Sequence, residues 1–335
     1  RGPSQPHSRD MPASDYLKKE QIGEGTFGVV TKAVERKSGK VVAIKKIRGG
    51  GSKNGTDNAT LREIMLLQEL RHKHVISLLD VYSSGYNGHI HLVFEFCGDQ
   101  RGGIDLEMII KDKTIVMSAA HIKGYMHGAL EGLGFCHRNW VLHRDLKPGN
   151  LLLTPKGVVK LADFGLARFY GSPDRKFTGQ VVTRWYRAPE LLFGAKFYSV
   201  GIDMWSMGCI FAELMRREAL FPGESEINQL SRIFTTLGTP DESSWPDIEK
   251  LPNYVPFPSS QGTPLEGLFP AASDDAIELL KGLLTYSPIK RLTAHEALSS
   301  SYFMEAPEMA SEAELVLRRG GDADGENSKR QKVEV

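Results

Sequence analysis

Three glycines, Gly23, Gly25 and Gly28, punctuate the run Ile22-Gly23-Glu24-Gly25-Thr26-Phe27-Gly28-Val29-Val30. Such a run lets backbone amides close on phosphate oxygens with no side chain between them, and dinucleotide-binding folds use the same device. The residues after the glycines separate the possibilities. A dinucleotide fold opens a helix at that point. This chain continues Val29-Val30-Thr31-Lys32-Ala33-Val34, which favours a strand, then a Ser38-Gly39 turn and Val41-Val42-Ala43-Ile44-Lys45-Lys46-Ile47. The local order is strand, glycine loop, strand, turn, strand: a hairpin lid over phosphates.

Strand side chains alternate between faces, so Ala43 and Lys45 point the same way. A small residue beneath a nucleotide ring and an ammonium beside its phosphates use that parity, whereas an exposed strand lysine is the plainer reading of Lys45 alone. Eighteen residues on, Glu63 lies in Thr60-Leu61-Arg62-Glu63-Ile64-Met65-Leu66-Leu67-Gln68-Glu69-Leu70, whose apolar positions 61, 64 and 67, with 66 and 70, follow helical spacing. Asn58 is placed to cap that helix. A Glu63 facing inward beside the apolar stripe needs a cationic partner, and Lys45 is the candidate.

The rest of the chain bounds what this lid is attached to. With 335 residues, 41% of them hydrophobic, there is enough apolar surface for a two-lobed enzyme. The 42 basic residues nearly balance 41 acidic ones, so no overall field exists to hold nucleic acid or an anionic membrane; neither is expected as a direct partner. Cys97, Cys136 and Cys209 show neither disulfide pairing nor metal-ligand spacing, which favours a reducing compartment. Residues 1–15 read as a disordered arm and 304–335 as a disordered tail, both too polar to bury a core. Lys329-Arg330-Gln331-Lys332 is either a nuclear-import signal or a chance basic run. Between the tails, residues 16–97 are strand-rich and residues 98–303 carry the longer helical patterns.

The densest chemistry lies in Val141-Leu142-His143-Arg144-Asp145-Leu146-Lys147-Pro148-Gly149-Asn150-Leu151-Leu152-Leu153, followed by Lys160-Leu161-Ala162-Asp163-Phe164-Gly165. Phosphoryl transfer needs a carboxylate to orient the acceptor hydroxyl and take its proton, a cation near the transferred phosphate, and oxygen ligands for Mg²⁺. Asp145, Lys147, and the pair Asn150 with Asp163 supply those groups. Their order and spacing match the H-R-D-L-x-x-x-N and D-F-G signatures.

From Tyr16 to Phe303 the chain resembles the eukaryotic protein kinases, with Ala188-Pro189-Glu190 and Asp203-Met204-Trp205-Ser206-Met207-Gly208 also in place. The resemblance implies an α+β bilobal fold, a small β-rich N-lobe (16–97) and a larger, mainly helical C-lobe (98–303), with ATP and Mg²⁺ in the cleft. It implies catalytic roles for Asp145, Lys147, Lys45 and Glu63. ATP would be held by residues 22–30, Ala43, Lys45, Phe94, Glu95, Cys97, Asp105 and Leu152, the hinge Glu95-Phe96-Cys97 pairing with adenine through its backbone and Asp105 meeting the ribose side. It further implies that Glu190 pairs with Arg291, that Asp203 supports the catalytic loop, and, through Lys147, that serine and threonine are the acceptors.

Trp185-Tyr186-Arg187-Ala188-Pro189-Glu190 and Asn58-Ala59-Thr60-Leu61-Arg62-Glu63-Ile64 are similar to the cyclin-dependent kinases. The stretches 105–112, 171–175, 181–185 and 191–195 resemble the branch that activates other cyclin-dependent kinases and is shared with transcription factor TFIIH. That likeness implies a cyclin H-like partner meeting the surface around residues 58–63, a RING-finger assembly subunit, and an enzyme both nuclear and cytoplasmic. Its substrates would be kinase activation loops and the repeats of RNA polymerase II. Thr178 is the implied activating phosphosite, with Arg62, Arg144 and Arg168 for its phosphate and Ser172 as a second site. Phe27 removes the inhibitory tyrosine of many relatives, Gly149 stands at a position usually polar in them, and residues 98–103 are longer than the pattern, which puts the Asp105 contact in question. Another cyclin-dependent branch, or a non-catalytic pseudokinase scaffold, are the competing readings.

Overall fold

The computed structural model describes residues 15–25, 28–47, 58–84, 89–99, 102–170 and 184–316; of Gly25, Asn58, Ala59 and Arg62 it describes the backbone alone. The apolar runs around the glycines form β1 (Tyr16–Gly25), β2 (Gly28–Glu35) and β3 (Val41–Ile47). After helix α1 (Asn58–Glu69) come β4 (Leu78–Ser84) and β5 (His89–Glu95). The five strands make one antiparallel sheet in the order β1-β2-β3-β5-β4. Parity along β3 divides its side chains as the alternation requires. Val42 and Ile44 pack with Tyr16, Ala33, Tyr82 and Val93 on one face, while Ala43 joins the main core with Leu92 and Phe94 on the other.

Gly28 closes the lid tightly. Its φ is +154°, and a Cβ there would sit 2.1 Å from the Lys46 carbonyl oxygen, so a side chain is excluded at the β2–β3 crossing.

Helix α1 buries Leu66 and Leu67 together with Glu63, and Leu70 just beyond its end is buried with them. The expected stripe put Leu61 on that face; instead Leu61 and Met65 are exposed, at 46% and 62%. Residues two apart on a helix are separated by about 200° of rotation, so a helix that turns Glu63 inward turns Leu61 out.

A hairpin of β6 (Gly98–Asp99) and β7 (Gly102–Gly103) takes up the extra length after the hinge. The second lobe is built on α2 (Leu106–Lys111) and α3 (Ala119–Arg138), the latter started by a capping box between Ser118 and His121. Short strands β8 (Val141–Leu142), β9 (Leu151–Leu153), β10 (Val159–Leu161) and β11 (Arg168–Phe169) then pair as β9 with β10 and β8 with β11. Helices α4 (Pro189–Leu192), α5 (Gly201–Arg216), α6 (Glu226–Leu237), α7 (Leu265–Leu268), α8 (Asp274–Leu283), α9 (Ala294–Leu298) and α10 (Ser301–Met304) complete the lobe. α5 is buried from Gly201 to Leu214, so apolar residues on every side of it face other elements. No helix among the described residues is long and apolar enough to cross a membrane.

Order does not end near residue 303, as the polar composition suggested. Residues 305–316 run along α3 and finish in α11 (Glu312–Leu315). Buried Lys123 donates to the carbonyls of Glu305 and Pro307 at 2.7 and 2.8 Å, and Tyr125 Oη donates to the Leu315 carbonyl at 2.7 Å. Gly124 makes room for Leu315, which is buried with Ala310. Two small apolar anchors and main-chain hydrogen bonds hold a segment whose average composition is polar. Residues 317–335 and 1–14 lie outside the described residues.

Candidate active site

Lys45 and Glu63 meet in the interior between β3 and α1. The Lys45 ammonium lies 3.0 and 3.3 Å from the two Glu63 oxygens and 3.0 Å from Asp163 Oδ1. Burial alone would push the Lys45 ammonium down; the carboxylates of Glu63 and Asp163 outweigh it and hold the group above the ordinary lysine value. Asp163 is the complementary case. Burial favours its neutral form, but the charge and hydrogen bond of Lys45 prevail and hold the carboxyl below its usual range. Asp163 also takes left-handed backbone, φ 63°, ahead of the short turn Phe164–Leu166, whose Phe164 is buried. One cation therefore gathers groups from β3, α1 and the segment after β10.

The segment after β8 is held from below by Asp203 on α5. This buried carboxylate accepts the backbone N–H groups of His143 at 2.9 Å and Arg144 at 2.8 Å, and lies 3.0 Å from His137 Nε2. Burial pushes its carboxyl up, yet His137 and the other donors overcome this and keep it ionised below the usual range. Arg144 adopts φ 71°, a strained conformation for a non-glycine residue, fixed by that hydrogen bond. The Asp145 N–H donates to His143 Nδ1 at 3.3 Å, so the His143 proton resides on Nε2 and is donated to the Ala162 carbonyl at 3.0 Å.

With the backbone so fixed, the Asp145 side chain is oriented by two donors. Lys147 Nζ reaches its Oδ2 at 3.2 Å, and Asn150 Nδ2 reaches the same oxygen at 3.1 Å and the Asp145 carbonyl at 2.7 Å. Asn150 spends its amide hydrogens on Asp145, leaving its Oδ1 as an acceptor. No group of three or more His, Cys, Asp and Glu side chains able to hold a metal occurs among the described residues. Magnesium is ordinarily held by one or two protein oxygens, with phosphate and water completing the shell, and Asn150 Oδ1 with Asp163 fits that requirement.

Around the remaining cleft, Ala43 and Phe94 are buried as a cross-strand pair, and Ile22, Val30 and Leu152 pack against the same core. Val29 is half-buried, Glu24 is exposed, and Gly23 and Gly25 pair with β2. Cys97 is buried, which pushes its thiol up to about 12 and leaves it unreactive. The Asp105 carboxylate caps α2, accepting the Met108 N–H at 2.8 Å; burial raises it to about 6. Thr26, Phe27, Ser172 and Thr178 lie outside the described residues, as does the Arg62 side chain. Arg144 stacks on Tyr198, its guanidinium 5.8 Å from the ring, and Arg168 donates to the Ala167 carbonyl at 2.9 Å. Arg291 makes a two-pronged pair with Glu190 at 2.7 and 3.0 Å.

One ion pair, its lysine buried and its glutamate half-buried, had no signal in the sequence. Glu95 Oε1 lies 2.7 Å from Lys160 Nζ and accepts the Ser77 N–H at 2.8 Å, locking the hinge to β10. A strand lysine and a strand glutamate sixty-five positions apart carry no mutual pattern.

Comparison with known proteins places this geometry. The protein kinase domain model matches residues 16–303. Cyclin-dependent kinase D-1 of Oryza sativa subsp. japonica is 52% identical over 303 residues, 90% of this chain and 70% of the relative. Cyclin-dependent kinase 7 of Xenopus laevis is 53% identical over 298 residues, 88% of this chain and 83% of the relative. Among solved structures, a chain of the CAK complex of Chaetomium thermophilum bound to ATP-gamma-S superposes with a TM-score of 0.84 at 38% identity, covering 91% of this chain and 95% of that one. The lysine, carboxylate and asparagine constellation thus sits in a known fold, and the chain belongs to the protein kinase family, as a serine/threonine kinase of the cyclin-dependent type.

Proposed function

We propose that this kinase transfers the γ-phosphoryl group of ATP, with Mg²⁺, to serine and threonine hydroxyls of kinase activation loops and of the RNA polymerase II repeats, under the control of a cyclin H-like partner. The observation that carries the reaction is the orientation of Asp145 by Lys147 and Asn150 while Lys45 holds Glu63 and Asp163 together.

In this reading the acceptor hydroxyl approaches the Asp145 carboxylate, which takes its proton as the oxygen–phosphorus bond forms and the bond to the leaving ADP breaks. Lys147, already beside Asp145, offsets charge on the transferred group. Lys45 orients the nucleotide phosphates and is itself oriented by Glu63. Asn150 Oδ1 and Asp163 would hold Mg²⁺, which supplies charge neutralisation at the phosphate oxygens. Adenine lies between Ala43 and Leu152 and pairs with the backbone of the Glu95-Phe96-Cys97 hinge. Asp105, used as a helix cap, keeps one carboxylate oxygen for a ribose hydroxyl.

The similarity to cyclin-dependent kinases D-1 and 7 supports the substrate and partner assignment. So does the exposed apolar pair Leu61 and Met65 on the outer face of α1, where the cyclin would seat. A RING-finger assembly subunit, membership of TFIIH, phosphorylation of Thr178 and Ser172, and a nuclear and cytoplasmic distribution complete the proposal. The test is phosphate incorporation by the purified chain with a cyclin H-like partner and Mg-ATP, offered an RNA polymerase II repeat peptide and a kinase activation-loop peptide. Transfer to both is expected. Transfer to neither, with transfer to other Ser-Pro peptides, would overturn the substrate assignment.

A further inference from the structure

Gly149 stands beside a carboxylate that the proposed reaction does not use. A Cβ built on Gly149 would lie 2.8 Å from Glu107 Oε2. Glu107 belongs to the first turn of α2, pairs through Oε1 with Lys111, and is 44% exposed. Its Oε2 accepts no hydrogen bond from the described residues and is turned toward the backbone of the catalytic loop at Gly149. Asn150, the next residue, touches the Asp145 carboxylate at 3.1 Å. Consecutive Cα atoms are about 3.8 Å apart, so the Glu107 carboxylate stands within two or three extended residues of the proposed base. Its charge is felt on every side: it contributes to raising Asp105, Tyr186 and Glu213. Lys111, the cation that pairs with it, is mostly exposed.

We propose that Glu107 is a specificity-determining residue, admitted to the substrate path by the missing side chain at Gly149, which favours a lysine or arginine close to the acceptor serine or threonine and disfavours an acidic residue there. The inference rests on the kinase reading above. A peptide that delivers its hydroxyl to Asp145 must lay its neighbouring residues over the catalytic loop, past the free Oε2. Because Lys111 meets Glu107 as an exposed (i, i+4) pair, worth little, an incoming cation shares the carboxylate without breaking a strong bond. A polar side chain at position 149 would occupy this space. Here the loop contributes none, and α2 fills it with charge.

The experiment is kcat/KM on a peptide set in which one position at a time, on either side of the acceptor, is Lys, Ala or Asp. Wild type is expected to prefer Lys over Ala, and Ala over Asp, by roughly three- to fivefold at one position, the size of a half-exposed charge pair, and less as salt rises. Glu107→Gln should bring both ratios close to one, and Glu107→Lys should invert them. Gly149→Asn should flatten them as well, because its Cβ meets only the flexible end of Glu107, which moves aside. Ratios measured on one enzyme cancel any loss of active protein. Transfer with no Lys preference at any position, or a preference that survives Glu107→Gln, overturns the inference alone; no transfer to any peptide overturns the kinase reading and the inference with it.

Discussion

Asp203→Asn tests whether the catalytic loop is held as its hydrogen bonds suggest. The wild-type carboxylate accepts from Arg144 N–H on Oδ1, and from His143 N–H with His137 on Oδ2. Asparagine keeps the shape but replaces one acceptor with a donor, so in either orientation a backbone N–H faces another N–H. A charge-assisted hydrogen bond contributes roughly 1.5–3 kcal/mol, and an orphaned buried donor costs about 1–3 kcal/mol more. The substitution should therefore destabilise the domain by about 3–5 kcal/mol. At about 2–4 °C per kcal/mol for a large domain, Tm should fall by roughly 6–20 °C. Activity should fall further than stability explains, because the φ of 71° at Arg144 is strained and relaxes once its N–H is released, moving Asp145. A displacement on the order of 1 Å lowers kcat by about a hundredfold. KM for ATP should change little, since the hydrogen bonds that join Lys45, Glu63 and Asp163 do not run through Asp203. Because the folded state lowers the Asp203 carboxyl, its stabilisation is full above the unfolded value near pH 4 and disappears as pH falls through the folded value. The Tm gap between wild type and variant should narrow below about pH 4. Thermal denaturation across pH and steady-state kinetics at 25 °C decide the matter, and an unchanged Tm with kcat within about twofold would refute the reasoning.

Other contacts carry three further predictions. Glu63→Gln removes one of the two charges facing buried Lys45 and should lower kcat/KM for ATP by about ten- to a hundredfold, with kcat/KM as the readout. Arg291→Met removes the cation that makes a two-pronged pair with buried Glu190 and should cost about 3–5 kcal/mol in denaturant unfolding, the range for breaking a buried pair. Asp105→Asn keeps the cap of α2 and removes a carboxyl that burial raises to about 6. Stability tied to the neutral form is complete below the unfolded value near 4 and is lost as pH rises through about 6. The variant should thus match wild type at pH 4 and exceed it at pH 7.5, read as Tm at both.

Legibility in the sequence depended on which physical demands are local. The strand–glycine–strand order was readable because β-branched runs and glycines act over a few residues. The Lys45–Glu63 meeting was readable because a buried carboxylate on an apolar helix face demands a cation. Leu61 was misread because hydrophobic spacing alone admits two faces of α1, and the inward turn of Glu63 decides between them. The Lys160–Glu95 lock was invisible, since neither partner sits in a pattern that forces burial. The Gly149 opening was visible as a departure, but the Glu107 carboxylate beside it needed the fold to bring α2 over the loop.

The ordered segment past residue 303 shows the same limit from the side of composition. Disorder was inferred from low average hydrophobicity, an average dominated by the charged residues around Ala310 and Leu315. Binding a strap to a folded surface needs only a few apolar anchors and satisfied main-chain groups, and α3 receives the anchors and supplies donors for the main chain. Gly124 opens the space for Leu315, while Lys123 and Tyr125 donate to three carbonyls that would otherwise face a helix surface. Lys123 gives its hydrogen bonds to main-chain oxygens rather than to a carboxylate, so burial lowers its ammonium below the ordinary lysine value. A lysine in the middle of an apolar helix face is therefore the sequence sign of such a strap. It marks a place where the chain must return with carbonyl groups, and an average over the tail cannot register it.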